Sequence, residues 1–419
     1  MRQAKTINDI SLEKLYELAF VLFVISRILF VNTHLPDLLG TTLTNRLSDV
    51  LLLCALGILS LVAYKYNSPK KTFILVILGF GIIGLSYVKS GASNLFMSAV
   101  FFYYSGAVRD KKRFAALVIW LNVAIILLVA ALSMSGLIGT LVKQRTKTTA
   151  IRSSLGFVHP NQIAIMMFVV ICMIFYRGMD KRLRGREMDY VVAGFLTVAV
   201  FLITNTMTFL ALASLMLVSL FAYDAILSRF QMPRKVTRHF VRTGLLVIGL
   251  IAGAVFYHFW KNPLALKGVW VTFRARFLLS KKYIQAYGIK PFGSKIAIGT
   301  DVVIPGFESG YYYLDNGYFR LFVENGFLAG LIVVVLLLRA IVNLTRQGKW
   351  KMLVILLCIM LYLFNEQKML TLYFNPFWVL LREYMLPGKT LRVKSMTITL
   401  PASMIDRPQN NTTEASETQ

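Results

Sequence analysis

Acidic charge is the scarcest commodity in this chain, with 19 Asp and Glu against 46 Lys and Arg in 419 residues. Cysteine and histidine are nearly as rare, at three and four. Cys54, Cys172 and Cys358 are far apart and each lies inside an apolar run, which excludes a disulfide framework and a Cys-x-x-Cys metal site. A water-soluble surface is missing too. Only 16% of residues are charged while 57% are hydrophobic, a balance that belongs to membrane proteins. The first apolar run follows fourteen residues of mixed charge and no small-residue cleavage site closes it, so it reads as a retained span and not a cleavable signal.

What is present is a series of apolar runs. A hydrocarbon core about 30 Å thick needs roughly 20 apolar residues per helix. Runs near 16–33, 46–65, 71–88, 93–108, 114–138, 160–177, 190–205, 207–228, 243–260, 322–343, 351–365 and 370–386 predict an all-α polytopic membrane protein of about twelve helices, the fourth, seventh and twelfth being short. Residues 1–398 form one transmembrane domain, and the polar stretch 399–419, which lacks aromatics, reads as a disordered tail.

A formal charge of +27 suggests nucleic acid only in a soluble protein; here it is divided among loops. Most of the Lys and Arg fall in seven segments of one parity, among them Lys65/Lys70/Lys71, Arg109/Lys111/Lys112/Arg113 and Arg339/Arg346/Lys349/Lys351. The positive-inside rule makes those segments cytoplasmic, together with both termini, and their alternation supports an even number of spans.

Two loops of the opposite parity are basic as well. Gly139–Val158 carries Lys143, Arg145, Lys147 and Arg152 with no acid. The stretch 261–321, a large external loop between the ninth and tenth helices, carries nine Lys and Arg against Asp301, Glu308 and Asp315. A solvated basic surface beside anionic headgroups accounts for the charge alone. The recurrence in two loops, and the Tyr, Phe and Trp interleaved in the second, fit an outward-facing anion chamber in which Arg holds phosphate and aromatics stack on sugars. Within that loop Val271–Tyr287 has helical apolar spacing and a basic face, which predicts an amphipathic interfacial helix. Gly288–Gly310 reads as a loop, and Asp315-Asn316-Gly317 as a turn into the next span.

The sharpest motif is Arg152-Ser-Ser-Leu-Gly-Phe-Val-His159-Pro160-Asn161. Pro160 suits a first helical turn, placing His159 near the N-cap, with an arginine seven residues before it. This stretch resembles the Gly-Phe-x-His-Pro-Asn signature of bacterial exopolysaccharide, capsule and O-antigen repeat-unit polymerases of the Wzy type, which are related to O-antigen ligases. Phe273-Arg274-Ala275-Arg276-Phe277 with Tyr287-Gly288-Ile289 and Phe292-Gly293, and Leu314-Asp315-Asn316-Gly317-Tyr318 with Glu324-Asn325-Gly326, resemble two further segments of that family in the same order. Val158 and Ala275 stand where the family commonly has Gly.

The resemblance implies a GT-C-like helical fold and a glycosyltransferase that joins undecaprenyl-diphosphate-linked oligosaccharides, donor and acceptor alike, at the outer face of the bacterial cytoplasmic membrane. It implies no cofactor and no nucleic acid, and as partners a flippase and a chain-length regulator beside the lipid bilayer. Arg276, Arg152 and Arg274 are the expected diphosphate clamp; His159 or Asp315 is placed to take the acceptor proton; Asn161 and Tyr318 are placed to orient sugar hydroxyls. Asp315 is equally a turn or N-cap residue, Arg274 an interfacial snorkeler, and Asn161 and Tyr318 structural polar groups. The outer loops offer no carboxylate or His cluster with metal-ligand spacing, so metal independence is expected. A ligase with a different acceptor, or a lipid-linked oligosaccharide flippase, are the rival readings. Asn365-Glu366-Gln367-Lys368 reads as a simple polar connection, with a reach into the same chamber as the alternative.

Overall fold

A computed structural model describes residues 7–66, 70–144, 151–180, 185–227, 257–258, 261–262 and 271–386. The described part is helical apart from two small hairpins. The helices are α1 (Ile7–Ile28), α2 (Leu35–Leu39), α3 (Thr41–Lys65), α4 (Lys70–Ser90), α5 (Ser93–Tyr104), α6 (Lys111–Met134), α7 (Pro160–Arg177), α8 (Glu187–Thr204), α9 (Met207–Ala222), α10 (Val271–Tyr287), α11 (Gly317–Glu324), α12 (Phe327–Gln347), α13 (Trp350–Asn365) and α14 (Phe377–Met385). The ninth predicted run, 243–260, the neighbouring basic segment at 229–242 and the tail at 399–419 lie outside the described residues, except for residues 257–258.

Among the described residues, six helices are long and apolar enough to cross a membrane: Thr41–Tyr64, Lys111–Met134, Pro160–Arg177, Glu187–Thr204, Met207–Ala225 and Phe327–Gln347. Their outward faces agree, since Leu53, Trp120, Phe195, Leu202 and Val218 are largely exposed and form an apolar surface that lipid solvates and water does not. α7 is the central post. Its side chains from Ile163 to Met173 are almost wholly buried, and α6, α8 and α9 pack around it.

Two predicted spans turn out differently. The fourth run forms only the twelve residues of α5, and the twelfth only the nine of α14. At 1.5 Å per residue these reach about 18 and 14 Å, short of a hydrocarbon core. The apolar character of α14 has another cause: Phe377, Leu380 and Leu381 are fully buried against protein. Hydropathy reports the need for burial and not what provides it. The tenth run is also split. Residues 317–324 form the separate helix α11, Gly326 at φ +92 breaks the chain, and α12 begins at Phe327. Gly293, at φ +79, interlocks there with Gly326, for a Cβ on either would strike the other segment's backbone.

The bundle has two distinct ends. At one lie the start of α1, where Glu13 accepts from the amides of Arg109 and Asp110, the N-cap Asp110 of α6, and the end of α14. There the charges are paired: Lys111–Glu383 and Lys112–Asp180 at 2.6 Å, Arg113–Glu17 at 2.7 Å, and a buried knot in which Asp224 meets both Arg186 and Lys351. At the other end the chain forms a cap. The helix predicted over Val271–Tyr287 is present as α10; its Tyr283 packs with Ile304, Tyr312, Leu314 and Val323, joining it to α11 and to the hairpin of β3 (Gly299–Val302) and β4 (Gly310–Tyr312). A second hairpin, β1 (Val142–Gln144) with β2 (Ile151–Ser153), lies at this end too.

Asp224 compensates the buried Arg186 and the mostly buried Lys351, so Asp224→Asn leaves Lys351 without its carboxylate and Arg186 with only Asp189, 3.8 Å away. The expected loss is about 3–5 kcal/mol, read as a large drop in the melting temperature of the detergent-purified protein; an unchanged melt contradicts the pairing.

Candidate functional site

At the capped end, α7 opens with a device legible in its sequence. His159 is the N-cap in an extended conformation and Pro160 is the first helical residue. The His159 Nδ1 accepts the backbone N–H of Asn161 at 3.1 Å. A neutral ring that accepts at Nδ1 carries its proton on Nε2, so neither nitrogen is left with a lone pair for a substrate proton. His159 therefore serves as a cap in this arrangement.

The cap aims Asn161 at its neighbours. Arg152, on β2, donates from Nε to the Thr204 carbonyl at the end of α8 (3.0 Å) and from NH2 to the Asn161 Oδ1 (2.9 Å). A guanidinium on the last carbonyls of a helix is favoured by both hydrogen bonding and the helix dipole. The Asn161 amide then donates to the Glu366 Oε2 at 3.2 Å, linking Arg152 to the segment after α13.

From the cap above, Arg276 on α10 donates to the Asn365 Oδ1 at the end of α13. Arg274 is two residues away, roughly 200° around the helix, and it reaches no acidic partner among the described residues. Asp315 precedes Asn316, whose side chain caps α11 by accepting from the Tyr318 and Phe319 amides, both at 3.1 Å. The N-cap is thus Asn316, not Asp315. Tyr318 donates its hydroxyl to the Met360 carbonyl at 3.0 Å, which ties α11 to α13 and makes it a structural anchor.

Lys368 follows in a 3₁₀ turn, Gln367–Leu370. Its ammonium donates to the Asn32 Oδ1 at 3.1 Å and lies 5.1 Å from the Phe374 ring centroid. Arg320 pairs with Glu324 at 2.6 Å. By contrast, Arg276, Asp315, Glu366 and Lys368 close no ion pair with any described residue, although Asp315 feels Arg276, Arg320 and Lys368, and Glu366 feels Asp315, Lys368 and Arg276. Burial is the largest influence on each titrating member. It raises the carboxyls of Asp315 and Glu366 above their usual range, the latter helped by repulsion from Asp315, and it lowers the Lys368 ammonium to about 8.

No family model, curated protein or solved structure matches the chain.

Of the residues expected from sequence, Arg152, Asn161, Arg276 and Asp315 converge on one network; His159 borders it as a cap, Tyr318 braces it, and Arg274 stays apart. The polar segment Asn365-Glu366-Gln367-Lys368 is more than a connection, since three of its four side chains enter the network. Its signal in the sequence was the charge doublet directly after an apolar run. Asn32, which cradles Lys368, carried no signal of its own.

The capping assignment is open to measurement. His159→Ala should cost about 1 kcal/mol of stability, and His159→Asn, which restores a cap acceptor, should recover most of it in thermal melts. Equal destabilisation by both would remove the cap.

Proposed function

We propose that the protein is a polysaccharide polymerase, a glycosyltransferase that joins undecaprenyl-diphosphate-linked oligosaccharide repeat units at the outer face of the bacterial cytoplasmic membrane. The observation that carries this reading is the convergence of Arg152, Asn161, Arg276 and Asp315, drawn from three separate motifs, at one end of an apolar bundle. The proposal includes a GT-C-like arrangement with about twelve passes, α5 and α14 being partial, and both termini in the cytoplasm. The first and last described helices do bring residues 13 and 383 to the same, ion-paired end, which suits an even number of crossings.

The chemistry asked of the site is a displacement at an anomeric carbon. An acceptor hydroxyl loses its proton as its oxygen bonds to the donor's anomeric carbon, and the bond from that carbon to the diphosphate oxygen breaks with its electron pair. Arg276 and Arg152 hold the departing diphosphate, their guanidiniums being suited to bidentate phosphate contacts. Arg276 is held by a neutral amide instead of a carboxylate, so its charge remains available to a ligand anion. Lys368, likewise held by an amide, adds a second such cation. Fixed cations of this kind can offset the charge that develops on a departing diphosphate.

Incubating the purified protein with lipid-diphosphate repeat units should give a ladder of products. Arg276→Ala should lower turnover about 10²–10³-fold while the protein stays folded. A chelator should leave the ladder intact. Translocation of the labelled lipid without extension would favour a flippase, and transfer only to a foreign acceptor would favour a ligase; either would overturn the polymerase reading.

A further inference from the structure

We propose that Glu366 is the proton acceptor of the site, a catalytic residue that touches the incoming acceptor hydroxyl. This rests on the polymerase reading. As the acceptor oxygen attacks, its O–H bond breaks and the proton passes to Glu366 Oε1, while the carbon–oxygen bond to the diphosphate breaks with its electron pair and the charge is taken up by the arginines. The protonated Glu366 then returns its proton to water or to the released diphosphate.

Geometry selects Glu366 from the acids and bases at this end. One oxygen, Oε2, is fixed by the Asn161 amide, and Asn161 is in turn fixed by Arg152, so the orientation of the carboxylate is tied to an arginine of the clamp. The other oxygen, Oε1, accepts no hydrogen bond from any described residue. Oε1 is also not among the enclosed polar atoms that lack a partner, so it keeps accessible surface in a residue that is otherwise buried, and an incoming hydroxyl can reach it. His159 has its accepting nitrogen engaged by the helix start. Asp315 is the closest competitor, for it too accepts no hydrogen bond from a described residue, but it lacks any group that orients it.

The titratable groups that face Glu366, charged except for the neutral phenol of Tyr362, come from several elements. Asp315 faces it from the loop before α11, Arg276 from α10, Tyr362 from α13 and Lys368 from its own turn, with Arg152 acting through Asn161. Burial raises its carboxyl, Asp315 raises it further, and Lys368, the Asn161 bond and Arg276 draw it back. A carboxylate whose affinity for protons is raised toward the working pH is the better base.

These neighbours give a signed test in the ladder assay with lipid-diphosphate repeat units. Glu366→Gln should lower kcat about 10²–10⁴-fold with KM changed only a few-fold, and Glu366→Asp should recover part of the loss. In the wild type kcat/KM should rise with pH along an acidic limb as the carboxyl deprotonates. Asp315→Asn removes a repelling charge, so the limb should move to lower pH. Lys368→Gln removes an attracting charge, so it should move to higher pH. If Glu366→Gln fails to fold, the limb shifts decide. A folded Glu366→Gln protein within threefold of wild-type kcat, or an Asp315→Asn protein in which turnover and the limb vanish together, overturns the assignment. A wild-type protein that makes no ladder overturns the polymerase reading itself.

Discussion

Charge that cannot be solvated must be paired or put to use, and this constraint organises both ends of the bundle. At one end the solution is pairing. Asp224 compensates Arg186 and Lys351, while Lys111, Lys112 and Arg113 each find a carboxylate. At the other end Arg276 and Lys368 rest on the amides of Asn365 and Asn32, and Asp315 and Glu366 sit near them without closing an ion pair. The same residue types are present at both ends; what differs is that amides stand where carboxylates would neutralise the cations. An amide satisfies donors without cancelling charge. On the proposed function, a phosphate-bearing ligand completes the field that this end keeps.

The scaffold exists to hold that arrangement. α7 is buried along almost its whole length, so the position of Asn161 on its first turn is fixed from all sides. α13 delivers Asn365 and Glu366 at its end, and the cap of α10, α11 and the β3–β4 hairpin lowers Arg276 and Asp315 onto them through a small apolar core centred on Tyr283. Short helices matter here. Because α14 is nine buried residues and not a full span, the chain between Asn365 and Phe377 has room to form the turn that carries Lys368.

The sequence was most legible where a local rule applied. Pro160 announced the start of α7 to the residue, and the spacing of Val271–Tyr287 announced α10. The basic loops gather at one end of the bundle, where Arg152 and Arg276 lie, because charge is excluded from the apolar interior wherever it is not needed. Legibility failed where burial has two possible causes. The run at 370–386 is apolar because it is buried in protein, while α5 in the run at 93–108 is only partly so, and hydropathy cannot tell burial in protein from burial in lipid. It failed again for long-range partners. Nothing in the sequence relates Asn32 to Lys368, or Arg152 to Glu366 through Asn161, because those contacts join segments hundreds of residues apart. His159 was visible as a motif residue, but only its hydrogen bond to Asn161 shows that the ring is engaged in capping.

The most direct measurement is an experimental structure of the protein with a bound polyprenyl diphosphate. The account predicts phosphate oxygens within hydrogen-bond distance of the Arg276 guanidinium, on the face of the network shared by Arg152 and Lys368. Diphosphate seated at the ion-paired end beside Lys112 and Lys351, with the Arg276 site empty, would contradict it.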